Sequence, residues 1–369
     1  MKKIAKLIDQ LSLTYVLPDS ISMDDCLFMD IETTGFTARS SYLYLIGCIF
    51  HREDGFHLIQ WFAESYESEK EILQSFLEFS AHFKYLIHFN GNHFDIPYLE
   101  QKAAAYNFAC DLKSMQGIDI YKRLLPLKSF LKLPNLKQKT IEAYLGLARE
   151  DKYNGGELIG VYHSYVTSPS LASEQLLLLH NEEDMIGMVK ILPILAVSDL
   201  YSGRLRVTKV NANFYTDYSG VECAELVMKL HMNNPVPCHV TCYENGCYFV
   251  GDGDTLTLKV PIYEEELKYF YSDYKSYYYL PGEDIALHKS VATFVDTAHR
   301  EQAKASNCYT RKVSQYLEQW DGSFEPIFKR SYDDRKSYFE LTDAFKHDRE
   351  GFSKYASQVL HMMISSKNA

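Results

Sequence analysis

The sequence has no run of about 18 apolar residues, the length that a membrane-spanning helix requires, and no apolar leader follows its first charged residues. It also has no Cys-x-x-Cys pair, because its eight cysteines are scattered along the chain. We therefore expect a reduced, cytoplasmic protein without a membrane anchor. A surplus of basic residues is missing too, since the net charge is −11. This deficit weighs against a nucleic-acid partner without excluding one, because binding needs only a local basic strip.

The length of 369 residues predicts two domains, with a boundary near residue 200. In residues 1–200, strands are predicted at 26–33, 43–50, 56–63, 85–90 and 117–121, a helix at 69–83, and a long helix from residue 173 that Pro193 ends. Three strands followed by alternating helices and strands predict an α/β domain in which helices flank a mixed sheet. Residues 201–369 are expected to form a smaller α+β domain, with a hairpin turn at 244–246, a strand at 255–263 and a helix over 283–303.

Two carboxylates stand at the end of the first predicted strand. Asp30 and Glu32 in the segment FMDIETTGF are two residues apart, so both side chains point to the same face of the strand. Because two negative charges at this spacing repel each other, a bound cation is the usual reason for such a pair. A solvated strand end has the same local pattern, so the pair alone does not decide between the two interpretations.

Two later segments each contribute one more carboxylate. Asp95 in HFNGNHFDIPYL follows the fourth strand, at the edge of an α/β sheet where functional groups gather, although an aspartate there can also cap a helix. His180 and Asp184 in LLLLHNEEDMIGM are four residues apart and share one face of a helix, where a histidine is also common without a catalytic role. Joined with the first pair, these residues form the oxygen-rich set that a phosphodiesterase with two Mg²⁺ or Mn²⁺ ions needs.

The segments FMDIETTGF, HFNGNHFDIPYL and HNEED resemble the three exonuclease motifs of the DEDD superfamily. Residues 24–195 as a whole resemble the stand-alone bacterial exonucleases that have a ribonuclease-H-like domain. The resemblance implies a ribonuclease-H-like fold and a metal-dependent 3′→5′ exonuclease that acts on single-stranded DNA or RNA ends. It assigns Asp30, Glu32 and Asp184 to the metal ion that activates water, and Asp30, with Asp95 through a water molecule, to the second ion.

The same resemblance implies substrate contacts beside the carboxylates. Thr33 and Asn90 belong to the first and second motifs, and Phe36 stands where the superfamily often has an apolar wedge against the terminal base. A loop residue that folds back on the core would give Phe36 the same sequence context. His180 departs from the superfamily pattern, because a histidine usually has one residue more before the aspartate and the present spacing is that of a tyrosine. His180 is therefore either a general base or a residue that only orients water.

Two other functions are compatible with these patterns. The chain could be an inactive nucleic-acid-binding or scaffolding protein on a nuclease fold, or a structure-selective endonuclease; four intact carboxylates and the exonuclease motifs favour the exonuclease. Asp119, at the end of the fifth strand, fits either a site acid or an ordinary strand end. In the C-terminal half, the tyrosines of residues 269–279 could stack bases but more often build a core. Cys238, Cys242 and Cys247 match no common zinc spacing.

Overall fold

The computed structural model describes residues 1–18, 21–150, 153 and 155–367. The chain folds into two compact units, one formed by Met1–Ser198 with Asn233–Cys238 and the other by Asp199–Met232 with His239–Ala369. Among the described residues, no helix combines the length and the apolar character needed to cross a membrane.

Strands and helices alternate in the first unit. The strands are β1 Lys2–Leu7, β2 Cys26–Thr33, β3 Leu43–Arg52, β4 Gly55–Phe62, β5 Tyr85–His88 and β6 Gln116–Asp119. The helices are α1 Glu69–Ser80, α2 Asp95–Ala105, α3 Ile120–Leu124, α4 Gln138–Tyr144, α5 Gly155–Thr167, α6 Leu171–Ile191 and α7 Leu195–Tyr201, the last of which runs into the second unit. The α/β prediction for this part of the chain is confirmed, although the sequence patterns did not predict β1.

The sheet of the first unit is mixed, as predicted. Its strand order is β1-β4-β3-β2-β5-β6. β2 lies near the middle, antiparallel to β3 and parallel to β5. The tight turn between β3 and β4 includes Gly55 at a φ of 127°, a backbone conformation that side-chain-bearing residues rarely adopt. β5 pairs only with residues 26–28 of β2, so the carboxyl end of β2 is held by β3 alone and is open on its other side.

Alternation along β2 separates apolar side chains from carboxylates. Leu27, Met29 and Ile31 belong to the main hydrophobic core, together with residues of α1 and α2. Asp30 and Glu32 alternate with them and therefore project from the other face of the sheet. On that side the Asn181 side chain of α6 reaches Asp30. The core thus fixes the strand whose opposite face carries the predicted acidic pair.

The second unit is rich in antiparallel sheet. Its strands are β7 Arg206–Thr216, β8 Glu222–His231, β9 Val236–Glu244, β10 Cys247–Gly253, β11 Thr255–Phe270, β12 Tyr277–Leu280, β13 Ile285–His288, β14 Glu301–Gln302, β15 Tyr309–Gln319, β16 Phe328–Lys329 and β17 Ser337–Glu340. Its helices are α8 Lys289–Ala292, α9 Asp343–Lys346 and α10 Arg349–Ser365. The long strand β11 joins the parts of the main sheet, because it pairs with β8, β10, β15 and β16.

The helix predicted over residues 283–303 is wrong. Ile285–His288 form β13, which pairs antiparallel with β12, and only Lys289–Ala292 are α-helical. Cross-strand pairing with the tyrosine-rich β12 outweighs the local helical pattern, since strand preference depends on neighbours that are distant in sequence. The hairpin between β9 and β10 is confirmed, with Asn245 and Gly246 at φ of 48° and 77°.

Candidate active site

Asp30 has three other carboxylates near enough for their charges to act on it. Burial raises the pKa of Asp30 well above its ordinary value, and the negative charges of Glu32, Asp95 and Asp184 raise it further. Because Coulombic interactions weaken with distance, carboxylates that act on Asp30 must lie near it. These side chains come from β2, α2 and α6, so the three elements meet near Asp30. The structure therefore brings together the four carboxylates that the sequence predicts as metal ligands.

Asp95 reaches this region from the first turn of α2. It is the first residue of the helix, and Phe94 occupies the N-cap position, so Asp95 does not have the capping role that its sequence context also allowed. The backbone amide of Ile31 donates a hydrogen bond to the Asp95 carboxylate, beyond the point where β5 stops pairing with β2. Burial raises the pKa of Asp95 to about 7, and the charge of Asp119 acts in the same direction.

His180 lies between two of the carboxylates. The ring is 3% exposed, and its Nε2 atom is 3.3 Å from Asp184 Oδ2 and 3.7 Å from Glu32 Oε1. One ligand atom from each of these three residues lies within 4.8 Å of the other two. A divalent cation would offset the repulsion that raises the pKa of Asp30, and carboxylate oxygens are ligands that Mg²⁺ and Mn²⁺ prefer. The residues present therefore fit a metal site.

The three residues predicted to contact substrate have different surroundings. Phe36 is 91% exposed and meets the ring of Phe94 edge to face at a centroid distance of 5.9 Å. Thr33 donates its hydroxyl hydrogen bond to the carbonyl of Gly35, 2.9 Å away, and so shapes the turn that carries Phe36. Asn90 has a φ of 63°, and its buried Oδ1 atom has no hydrogen-bond partner among the described residues. Phe36 thus does not fold back on the core.

Sequence reasoning missed Asn181, a buried amide that orients Asp30. Its Nδ2 donates a hydrogen bond of 3.2 Å to Asp30 Oδ2, and its Oδ1 accepts one of 3.0 Å from Gln60 Nε2. Gln60 in turn donates to the carbonyl of Leu178 in α6. Gly47 of β3 makes room for this chain, because a Cβ atom there would lie 2.0 Å from Asn181 Oδ1. The hydrogen bond from Asn181 is also the contact that lowers the pKa of Asp30.

Sequence reasoning also missed Arg149, which binds the carboxylate of Asp184. Its Nη2 atom is 2.5 Å from Asp184 Oδ1, and its Nη1 atom is 3.0 Å from Oε2 of Glu142, a side chain that is 2% exposed. Gln138 donates to both Glu142 Oε1 and the carbonyl of Asp184. Gly187 lets α6 approach this group, since a Cβ atom there would lie 2.1 Å from Glu142 Oε1. Arg149, itself bound by Glu142, therefore fixes the orientation of the Asp184 carboxylate.

Asp119 has a structural role at the edge of the site. Its Oδ1 accepts hydrogen bonds from the backbone amides of Lys122, at the start of α3, and of Asn90. The Asn90 amide is thereby fixed in the left-handed conformation that ends β5. Burial lowers the pKa of the neighbouring His88, whose Nδ1 accepts a hydrogen bond from the Gly91 amide.

We predict that Gly47→Ala and Asn181→Leu each weaken Mn²⁺ binding by about tenfold or more, as removal of a group that orients a metal ligand usually does. Both changes disrupt the hydrogen bond that the Asn181 amide donates to Asp30. Isothermal titration calorimetry measures the affinity. Gly160→Ala is the matched control, because the space around Gly160 in α5 is open. Unchanged affinity in both site variants would show that Asp30 needs no positioning.

We expect Arg149→Met to lower the free energy of unfolding by about 3 kcal/mol, because it leaves the buried Glu142 carboxylate without its cation. The double variant Arg149→Met with Glu142→Leu should recover most of this loss, since both charges are then absent. Urea denaturation of the metal-free protein measures both values. Equal stability of the wild type and the Arg149→Met variant would contradict a stabilising role for the ion pair between Arg149 and Glu142.

The pKa of Asp95 predicts how metal-free stability depends on pH. The pKa of a free aspartate is about 3.9, whereas the pKa of Asp95 in the folded chain is about 7. Between these two pH values the Asp95 carboxyl is protonated in the folded state and ionised in the unfolded state. The resulting stabilisation is fully present below about pH 4 and is lost as the pH rises through about 7. In chelator, the melting temperature should therefore fall from pH 5 to pH 8, and Asp95→Asn should reduce this fall, whereas Asp111→Asn at an exposed position should not. A melting temperature that rises over this interval would be inconsistent with the buried carboxylates.

Comparisons with known proteins give a family match over much of the first unit. Residues 27–196 match the family model of the RNase_H superfamily. No curated protein matches the chain in sequence. Among solved structures, the family B DNA polymerase of the archaeon Pyrobaculum calidifontis is 16% identical, covering 48% of this chain and 26% of its own, with a TM-score of 0.39. E. coli exonuclease I in complex with a dA16 oligonucleotide is 10% identical, covering 62% of this chain and 54% of its own, with a TM-score of 0.27.

The family match includes β2, α2 and α6, the elements that carry the four carboxylates. The present chain spans 26% of the polymerase and 54% of the exonuclease, so each of those proteins contains parts that it does not match. Residues 27–196 form a ribonuclease-H-like domain, because this part of the chain matches the family model of the RNase H superfamily.

Proposed function

We propose that this protein is a metal-dependent 3′→5′ exonuclease that hydrolyses phosphodiester bonds at single-stranded nucleic-acid ends by a two-metal mechanism. The observation that carries the proposal is the convergence of Asp30, Glu32, Asp95 and Asp184 beside a buried histidine. Carboxylates that are buried together at the cost of raised pKa values are characteristic of functional sites, because a bound cation is what makes the arrangement favourable. The match of the domain to the RNase H superfamily supports the same conclusion.

We assign one divalent cation, Mg²⁺ or Mn²⁺, to Asp30, Glu32 and Asp184, and a second to Asp30 and Asp95. Cations bound by these residues would supply Lewis-acid chemistry, which would lower the pKa of a water nucleophile and offset charge on the leaving oxygen. The side chains themselves supply the geometry, since Asn181 fixes Asp30 and Arg149 fixes Asp184. Two ligands with fixed orientations need little reorganisation when cations and substrate bind.

His180 is assigned to the attacking water. Its Nε2 atom faces Glu32 and Asp184, so these carboxylates stabilise the positive charge that the ring acquires when it accepts a proton. A neutral imidazole at the same place would instead orient the water through a hydrogen bond. The two roles differ in the fate of the proton, because only a general base takes the proton that the attacking water loses.

Phe36 is assigned to the terminal base. Its ring is almost fully exposed although it is apolar, and Phe94 supports it from one side. An exposed aromatic ring beside a carboxylate cluster can stack on or wedge against an unpaired base. Such a contact favours an exonuclease over an endonuclease, because an aromatic ring wedged next to the scissile bond accommodates a strand whose 3′ end lies at the site.

The test uses 5′-labelled single-stranded DNA and RNA oligonucleotides with Mg²⁺, with Mn²⁺ and with chelator. We expect a ladder of products that shortens from the 3′ end and requires a cation. Asp30→Asn should reduce the rate by about a thousandfold or more, which corresponds to about 4 kcal/mol of lost transition-state stabilisation. Asp111→Asn, which changes an exposed carboxylate elsewhere in the unit, is the matched control and should retain the full rate.

Three results would refute this function in different ways. Single internal cuts would identify an endonuclease. Binding of either polymer without any cleavage would identify a scaffold. Cleavage at the full rate by Asp30→Asn or in chelator would place the activity outside the carboxylate cluster.

A further inference from the structure

The strand β7 has an edge that no other strand covers. Arg206–Thr216 pairs along its length with β8, and no strand of the described chain pairs with its other side. Nearly all of its residues are exposed. An open strand edge presents backbone amides and carbonyls that can pair with another chain. Natural proteins usually protect such an edge by charge, proline, a bulge or short length.

Those protections are missing from most of β7. Only the beginning of the strand is protected, by an irregularity in its pairing between Val207 and Lys209 and by a hydrogen bond from the Val207 amide to Ser353 of α10. From there the segment 210–216, VNANFYT, contains neither a charged residue nor a proline. Phe214 and Tyr215 in this segment are 71% and 47% exposed. The second half of β7 is therefore an open strand edge without these protective features, and it carries exposed aromatic side chains.

The sequence of this edge is complementary to itself. When two antiparallel copies pair about Asn213, each large side chain lies opposite a smaller one: Phe214 faces Ala212, and Tyr215 faces Asn211. At both ends of the same ladder Lys209 lies opposite Asp217, which places opposite charges together.

Moving the two-fold centre by one residue in either direction, which shifts the register by two residues, removes this match. Directly opposite residues must have the same hydrogen-bonding orientation, so the next possible two-fold centres are Ala212 and Phe214. The first places Lys209 opposite Tyr215, and the second places two phenylalanines opposite each other and Lys209 opposite Ser219. The pairing of opposite charges thus selects the register about Asn213.

We propose that β7 is a dimerisation edge through which a second copy of this chain extends the main sheet of the second unit. The two copies pair antiparallel through residues 209–217, with the two-fold axis at Asn213. This inference is independent of the proposed nuclease activity, because it uses only residues of the second unit.

The wild-type chain is expected to show a concentration-dependent dimer mass in sedimentation equilibrium over about a hundredfold range of concentration. Asn213→Lys should give a monomer over the same range, because two lysines then lie opposite each other at the two-fold axis. Within one chain the new lysine can still reach Glu225, the present partner of Asn213, so the fold is retained. Asn213→Thr, a neutral residue that suits a strand, is the matched control and should remain dimeric.

A charge series tests the register. Lys209→Glu should weaken the dimer about tenfold or more, because it places two acidic side chains opposite each other. Adding Asp217→Asn should restore part of the affinity, since the amide oxygen can still accept the turn hydrogen bonds from Ser219 and Val221. A wild-type chain that is monomeric at every concentration would overturn the proposal, and so would a dimer that Asn213→Lys leaves intact. Circular dichroism and thermal melting of each variant distinguish loss of pairing from loss of folding.

Discussion

The repulsion between four clustered carboxylates, of which Glu32 and Asp95 are buried, is the constraint on which the first unit depends. Each would be solvated in the unfolded chain, and the fold takes them out of water and places them together, which raises the pKa of Asp30 and Asp95. The hydrophobic core behind β2 offsets this cost, because the apolar residues that alternate with the carboxylates are almost completely buried. A bound cation would offset the repulsion itself, so any metal that binds this site would also stabilise the unit.

Two polar networks keep the carboxylates in place. On one side, Asn181 fixes Asp30 across the sheet, and glycine at position 47 allows the amide to approach. On the other side, Arg149 binds Asp184 and is itself held by Glu142. The network around Asp30 uses the neutral amide of Asn181, whereas the network around Asp184 uses the positively charged guanidinium of Arg149. A buried network of this kind is stable only when all its members are paired, which makes each member sensitive to substitution.

The sequence predicted the site residues better than the groups that orient them. The carboxylates stand in short motifs on elements with clear periodicity, so their strand or helix could be identified from neighbours in the chain. Asn181 and Arg149 could not be found in this way, because their partners Asp30 and Asp184 are 151 and 35 residues away. The one available signal was an amide next to His180 in a helix that had to be buried. The same limitation explains why β1 was missed. Its three lysines interrupt the apolar pattern of a strand, and its strand character follows from pairing with β4, which is distant in sequence.

Counting bound cations tests the central claim most directly, because Asp30 is assigned to both ions. Isothermal titration calorimetry with Mn²⁺ at about pH 8, where Asp95 is ionised, should give two ions per chain for the wild type and a loss of both sites in Asp30→Asn. Wild-type protein that binds no Mn²⁺, or an Asp30→Asn variant that still binds two ions with wild-type affinity, would contradict the account.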